Sequence, residues 1–506
     1  MSKPLRIALL HAAIAYGKVD ENRQALLDMI SRAAGAGAEL IVAPEMALSG
    51  YSFDSREAIA PFVETIDGPT VNAVGELARL HGVYVCVGLA LEEPQTGIFH
   101  NSAVVVEPTG KVACRYDKIN AESRWACPGD ARQDNTFETP WGRVGLLICS
   151  DSYYGLMPRV TALRGVDLLL VPANWPPTGL DPRELWRARA IENGIYLAAC
   201  NRTGIDRTMD CRQAASCAVD PNGGILLDAS HADSQIYTVD LPLTEKGRID
   251  DTMRRQCMAS RCPDQYNNCY LNLRPIQNLT TFLNLPSPDI LDVYGVVPEA
   301  DEHPIDALLR SLDDKNAPPG LFLLPRFAYA DEALTRIAEI AAKYQAGVIT
   351  CRRESNEYDC FAFPADADTQ HWPLVSSTGG QAADFSWIDF GSARLKPVTL
   401  DLLSHPENAV AAAKQGCDLM VTFGESLDEN KRLQAGVRTI EHLAVACATP
   451  SMAGIWLPPD GHQRWQERVA GSGAVCHVAL DTHRTRQKRF QDNIDFATLL
   501  QRNGSQ

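Results

Sequence analysis

Three polar residues in the first third of the chain each stand at the end of an apolar run. Glu45 follows LIVAP, Lys118 follows GKVACRYD and Cys149 follows VGLLI, at separations of 73 and 31 positions. Together a carboxylate, an ammonium and a thiol can do nucleophilic acyl chemistry. The thiol attacks well only after losing its proton, and a carboxylate held away from water can take it. The carbonyl under attack becomes an oxyanion, which the ammonium and a backbone N–H just after the nucleophile can stabilise. Each such donor is worth about 10²–10³ in rate. In a pocket of low dielectric the three would also shift one another's proton affinities as a coupled set. Taken singly, such residues are more often two solvated loop charges and one more buried cysteine, so the fold must bring them together.

The surrounding segments alternate in type. Strands are expected at RIALLHAA, ELIVAPE, VYVCVGLAL, NSAVVVEP, GKVACRYDK, GRVGLLIC, DLLLVPA and IYLAACN, and a hairpin at SCAVDPNGGILLDA. Helices are expected at ENRQALLDMISRAAGAGA, TVNAVGELARLHG, GLMPRVTALRG and LWRARAIENG. This is an α/β chain of sheets covered by helices, most simply a layered sandwich. Ligands of open α/β sheets collect beyond the carboxyl ends of the strands, where Glu45, Lys118 and Cys149 all fall.

At 506 residues the chain exceeds one ordinary core, and roughly two to four domains are expected. A hydrophobic content of 45% with 22% charged residues is that of a soluble globular protein. The formal charge of −16 argues against nucleic acid or an anionic membrane as a partner. Fifteen cysteines, scattered through apolar runs and without a C-x-x-C pair, point to a reducing compartment rather than a disulfide framework. Cys257, Cys262 and Cys269 form a loose cluster, a weak pattern for zinc. LRIALLHAAIA reads as a first core strand, not a signal segment. No apolar stretch approaches the ~18 residues of a membrane span. A cytoplasmic protein is expected.

The motifs LIVAPEMALSGY, NSAVVVEPTGKVACRYDKIN, CPGD, GRVGLLICSDSYYG, ARAIENGIYLAACNRTG and AVDPNGGIL follow one another as in the nitrilase superfamily of carbon–nitrogen hydrolases, and the resemblance covers about residues 5–272. It implies an α-β-β-α sandwich and a catalytic set on Glu45, Lys118 and Cys149. A second family glutamate, which helps to position substrate or lysine, falls on Glu122. Two departures stand out: Asn120 where the family often has histidine, and Ser150 where an aromatic residue commonly follows the nucleophile. Asp151 resembles the amidase and carbamoylase branches more than the branch that hydrolyses nitriles. The implied reaction is attack by Cys149 on a small amide with Glu45 as base. Lys118 and the Ser150 N–H hold the oxyanion, and water then opens the thioester. No metal or organic cofactor is implied. N-carbamoyl or nitrile hydrolysis, and transfer of the acyl group to an amine, would use the same residues. Tyr51, Phe53, Ser150, Tyr153, Tyr154, Asn174 and Trp175 lie at the same sheet end and are candidates to line the pocket.

After the linker-like RPIQNLTTFLNLPSPD the pattern restarts. ILDVYGVVP answers LRIALLHAA, LFLLPRF answers LIVAPEM, SHPENAVAAAKQGCDLMVTFGES answers GLMPRVTALRGVDLLLVPANW, and RTIEHLAVACATP answers RAIENGIYLAACN. Residues 1–275 are thus expected to form a catalytic nitrilase-like domain and residues 276–506 a second, degenerate one. Pairing Pro44 with Pro325, Pro108 with Pro364 and Asp167 with Asp418 puts Arg326, Leu374 and Leu400 at the places of Glu45, Lys118 and Cys149. An arginine is no base at neutral pH and leucine is no nucleophile. Since family members commonly pair two sandwiches, an inactive copy could serve as an intramolecular partner, with further homo-oligomerisation open. Alternatively, Arg326 could take an anionic effector. Two rival functions remain: a serine amidase, suggested only by SSTGG at 376–380, and a non-catalytic scaffold.

Overall fold

The computed structural model describes residues 3–313, 319–354, 357–364, 368–374 and 387–501; the SSTGG segment lies outside them. The described residues divide into two units, within Met1–Ala259 plus Asn493–Leu499 and within Ser260–Asp492 plus Leu500–Gln506. The expected division at 275/276 falls slightly downstream of the first of these boundaries.

In the first unit the chain runs β1 (Leu5–His11), α1 (Val19–Gly35), β2 (Leu40–Val42), α2 (Pro69–His81), β3 (Tyr84–Glu93), β4 (Ile98–Val106) and β5 (Val112–Asp117). It continues through β6 (Thr136–Thr139), β7 (Gly142–Leu146), α3 (Leu156–Leu163), β8 (Leu168–Ala173), α4 (Pro182–Asn193) and β9 (Tyr196–Asn201). β10 (Ser216–Val219), β11 (Ile225–Ala229) and β12 (Gln235–Leu241) complete two six-stranded sheets, ordered β12-β1-β2-β3-β4-β5 and β11-β10-β9-β8-β7-β6. Strands joined by helices pair in parallel and hairpin-linked ones antiparallel, as crossover length requires.

Ala8, Leu10, Ile41, Val85 and Val87 of the first sheet pack beneath Leu26 and Ile30 of α1 and Val71 and Val74 of α2. Its other face meets the second sheet. The Cys200 Sγ on β9 lies 3.4 Å from the Leu10 backbone oxygen on β1, and the rings of Tyr84 and Phe137 are 6.0 Å apart. Strands covered on both faces read as unbroken apolar runs. That is why they were legible, and why β12, an edge strand with alternating exposure, has no such run. α4 starts on an Asp181 cap that accepts the Arg183 N–H at 3.0 Å. It ends at Gly194 with φ +63°, where a Cβ would meet the Met253 backbone at 2.5 Å.

The second unit repeats this order with β13 (Ile290–Val296), α5 (Pro304–Leu312), β14 (Leu321–Leu323), α6 (Asp331–Tyr344), β15 (Gly347–Glu354), β16 (Glu357–Phe363) and β17 (Gln370–Pro373). There follow β18 (Ile388–Phe390), β19 (Ala393–Thr399), α7 (Pro406–Lys414), β20 (Leu419–Phe423), α8 (Glu429–Arg438) and β21 (Ala444–Ala448). β22 (Met452–Leu457), β23 (Gln466–Gly471) and β24 (Val475–Asp481) finish sheets ordered β24-β13-β14-β15-β16-β17 and β23-β22-β21-β20-β19-β18. Both sheets contribute to one apolar core between them, including Val293, Leu323, Ile349, Leu395, Val421 and Ala446.

Register fixes which positions correspond. Val42 pairs with Cys86 and Cys86 with Val105; in the second unit Leu323 pairs with Ile349 and Ile349 with Ala362. Lys118 N–H donates to the Asn101 oxygen at 2.8 Å, and Leu374 N–H to the Tyr358 oxygen at 2.7 Å. Asp167 accepts the Arg143 N–H at 3.2 Å, and Asp418 the Arg394 N–H at 2.9 Å. Arg326, Tyr358, Leu374, Leu400 and Glu425 therefore stand where the first unit has Glu45, Asn101, Lys118, Cys149 and Asn174. Between the second and third strands the second unit is shorter: 44 positions separate Val42 from Cys86, but 26 separate Leu323 from Ile349.

Candidate active site

Glu45 lies just beyond β2, Lys118 directly after β5, and Cys149 three residues past β7. β2 and β5 belong to one sheet and β7 to the other, so the site forms at the carboxyl ends of strands from both sheets. The chain turns sharply after Glu45, with Met46 at φ +53°. This turn rides directly on Gly88 of β3, where a Cβ would sit 2.5 Å from the Pro44 oxygen and 2.7 Å from the Glu45 Cα. Only glycine lets the glutamate backbone come so close. Cys149 opens a single 3₁₀ turn, Cys149–Ser152, with its own φ at +46°.

Lys118, fully buried, is the hub. Its Nζ donates to Glu45 Oε1 at 2.7 Å and to Glu122 Oε1 at 2.6 Å, and lies 3.3 Å from the Tyr51 hydroxyl. Tyr51 donates its hydroxyl to Glu122. Asn101 of β4 donates to both carboxylates, at 2.8 Å to Glu45 Oε1 and 3.1 Å to Glu122 Oε2. Sequence reasoning missed Asn101, and its one signal was an amide within a strand that ends in an apolar run. Glu45 Oε2 is buried without a conventional hydrogen-bond partner among the described residues, and the Cys149 thiol lies beside this carboxylate.

The proton affinities follow from these contacts. Burial raises Glu45 above the usual carboxylate range; Lys118 opposes the rise and the charge of Glu122 adds to it. Burial would raise Glu122 too, but Lys118 and the hydrogen bonds from Lys118, Tyr51 and Asn101 outweigh it and hold Glu122 low. Burial works against the Lys118 charge, yet Glu122 and Glu45 keep the ammonium far more basic than usual. Burial, and then the Glu45 charge, push the Cys149 thiol well up. At rest the thiol is protonated, and of the two carboxylates Glu45 is the one with affinity to spare for its proton.

Behind Cys149, Asp151 ties together the loops that carry Lys118 and Cys149. It accepts the Tyr116 hydroxyl at 2.7 Å and the backbone N–H groups of Ile119 at 3.3 Å and Asn120 at 2.7 Å. Burial lifts its carboxyl to about 6, against the pull of Lys118 and these donors. The Asn120 side chain donates to the Ser150 carbonyl at 3.3 Å. On the other side, Trp186 donates to the Ser152 hydroxyl at 3.2 Å, and Arg189, paired with Glu192 at 2.7 Å, donates to the Ser152 carbonyl at 2.9 Å.

The remaining candidates separate. Tyr51 joins the lysine cluster through its hydroxyl. The Asn174 backbone N–H is placed to hydrogen-bond the Cys149 sulfur, while its side-chain Nδ2 is buried without a partner among the described residues. Trp175 is locked by Asn201, which bonds its N–H at 3.0 Å and its carbonyl at 2.9 Å. Its ring stacks on Tyr153 at 6.4 Å, and Tyr153 meets Tyr154 edge-on at 5.0 Å. Ser150 follows Cys149 within the 3₁₀ turn. Phe53 does not line this space: it is buried against Tyr16 and Phe62 in the loop's own apolar cluster. Among the described residues no group of His, Cys, Asp and Glu is disposed to hold a metal, and no helix is long and apolar enough to cross a membrane.

Comparison with known proteins places the chain in a family. The carbon–nitrogen hydrolase family profile matches residues 6–249. The nitrilase of Pyrococcus abyssi (strain GE5 / Orsay) is 32% identical over 238 residues, covering 46% of this chain and 88% of that protein. The omega-amidase NIT2 of Homo sapiens is 30% identical over 258 residues, covering 48% of this chain and 91% of the relative. Among solved structures, Saccharomyces cerevisiae Nit3, described as a member of branch 10 of the nitrilase superfamily, aligns with 51% of this chain and 93% of its own at 22% identity and a TM-score of 0.45. With 88% and 91% of the two sequence relatives spanned at 32% and 30% identity, the chain belongs to the carbon–nitrogen hydrolase family, the nitrilase superfamily.

Proposed function

We propose that the first unit hydrolyses a small amide through a thioester on Cys149. The observation that carries this reading is the pairing of a buried, proton-avid Glu45 with a buried thiol and a buried lysine at one strand-end cluster. Glu45 takes the thiol proton as the sulfur attacks the amide carbon. The oxyanion forms against the Lys118 ammonium and the Ser150 N–H, in a water-poor site where such donors act strongly. The proton passes from Glu45 to the departing nitrogen, and ammonia or an amine leaves. The same glutamate then deprotonates water, which opens the thioester to the free acid and restores the thiol. Glu122 holds Lys118 in place. The stacked Tyr153–Trp175 pair and the Asn174 amide form the wall that meets the substrate. The omega-amidase among the relatives favours an amide over a nitrile.

The test is ammonia release from a panel of amides, carbamoyl compounds and nitriles, run beside Cys149→Ala, with intact mass of each sample. Ammonia lost in the variant, together with an acyl adduct on the wild type, supports the reading. An adduct without turnover redirects it to acyl transfer to an amine. Neither signal on folded protein sinks it in favour of a scaffold.

We also infer that the second unit is a nitrilase-like copy without chemistry. The identical strand order supports a common fold, and Arg326, Leu374 and Leu400 cannot replace base, ammonium and nucleophile. Leu400→Met, a volume-conserving change, should leave kcat unaltered; a fall in kcat on folded protein would refute this.

A further inference from the structure

The place in the second unit that lost its base has gained a different set of groups. Arg326 stands at the strand end after β14, and its side chain is only 10% exposed. Its NH2 meets Glu425 Oε2, and Arg353 NH1 meets Glu425 Oε1 at 2.5 Å. Glu425 lies in the turn that leaves β20, and its side chain is 58% exposed. A surface carboxylate thus reaches inward to neutralise a nearly buried guanidinium. Both guanidinia lie over the Tyr358 ring, at 5.9 and 5.7 Å from its centroid, and Arg326 NH1 is 3.5 Å from the Tyr358 hydroxyl.

One donor is left over. Arg326 Nε is buried and has no hydrogen-bond partner among the described residues. Nε and NH2 lie on one edge of the guanidinium and form the parallel pair of N–H groups that matches both oxygens of a carboxylate. Glu425 fills only half of this fork, because Arg353 holds its second oxygen. A carboxylate not tethered to the chain can fill all of it. Leu374 and Leu400 stand at the lysine and nucleophile positions, so neither counterpart would react with such a ligand.

We propose that the second unit binds a small carboxylate at Arg326, in exchange for the side chain of Glu425. Binding forms the Nε and NH2 hydrogen bonds and releases Glu425 to solvent beside Arg353. This assignment is independent of the reaction proposed for the first unit. If that reaction is amide hydrolysis, however, its acid product belongs to the same chemical class.

The experiment titrates succinate, acetate and inorganic phosphate into the full chain by calorimetry, with thermal melting in parallel. Wild type, Glu425→Gln and the double variant Glu425→Gln/Arg326→Met are compared. Removing the tethered competitor should tighten succinate binding by about tenfold or more, since a side chain on a short tether acts at high effective concentration. Succinate should then raise the Tm of Glu425→Gln more than that of wild type, and the double variant should not bind. If the double variant does not fold, Glu425→Gln/Arg326→Lys takes its place. It keeps the charge but loses the fork, and should bind about tenfold more weakly than Glu425→Gln. Three results would overturn the proposal: no succinate binding by folded Glu425→Gln, binding that survives loss of the arginine, or phosphate preferred over both carboxylates.

Discussion

At the end of the second strand, one unit presents Glu45 and the other Arg326, on sheets of the same strand order. The neighbours changed with them. The amide of Asn101, which holds Glu45, becomes Tyr358 under Arg326. Asn174 becomes Glu425, and the buried lysine and thiol become Leu374 and Leu400. Other features did not change. Asp167 and Asp418 each clip the backbone N–H of the arginine that is the second residue of the neighbouring strand. Arg189 and Glu192 on α4 have buried counterparts in Arg438 and Glu441. The difference sorts one sequence by purpose. On the proposed reading, what both units keep serves the sandwich, and what only the first keeps serves chemistry. By this measure the Arg189–Glu192 pair under the nucleophile turn is part of the frame.

The sharpest way to break the comparison is at the nucleophile. Cys149→Ala should lower kcat by at least about 10³-fold, against no change for Leu400→Met, measured by ammonia release. Next is the lysine. Lys118→Met should slow turnover by about 10²–10³ and also destabilise the chain by roughly 3–5 kcal/mol, because Glu45 and Glu122 lose the cation between them. A shift in the urea midpoint reads the second effect. If activity falls while stability holds, the lysine is not the structural hub described.

Gly88 probes geometry alone. Cys351 stands at its place in the second unit, so a Cβ is tolerated there, and Cys351→Ala should change neither activity nor melting by much. Gly88→Ala must push back the Pro44–Glu45 backbone. A displacement near 1 Å costs about 10² in rate, and KM for the amide should move less than kcat. Normal kcat would show that the Glu45 turn relaxes freely.

The smallest effect is a pH dependence. Asp151 has Leu402 at its place in the second unit, so only the first unit titrates here. Burial holds the Asp151 carboxyl at about 6 in the folded chain, above the ordinary aspartate value of about 3.9, so the fold favours the protonated acid. The stability it contributes is complete below about pH 4 and is lost as pH rises through 6. The gap between the folded and the ordinary value sets the upper size at about 3 kcal/mol. Urea denaturation between pH 4 and 7 should show wild type losing this increment relative to Asp151→Asn. Parallel curves would remove Asp151 from the account.

Much of this was legible in the sequence because the sheets are buried on both faces. Apolar runs mark the strands, and Glu45, Lys118 and Cys149 stand out as the polar residues that end them. Asn101 and Gly88 were not legible for the opposite reason. Both act from within a strand on a residue of another segment, and only the register shows what they face. Phe53 was misread for a related reason: proximity in sequence to Glu45 says nothing about which side of the loop it packs. In the second half the repeat itself gave Arg326, Leu374 and Leu400. Tyr358 and Glu425 needed the cross-strand pairing.

The buried lysine of the first unit faces two carboxylates, which leaves the cluster with an excess of negative charge. A neutral amide enters such a place without electrostatic cost. In the proposed reaction, the acid formed from the thioester would ionise beside Glu45 and be repelled by that carboxylate. The hydrolase would then show weak inhibition by its own acid product, and the chemical step would be hard to run backwards from a free carboxylate.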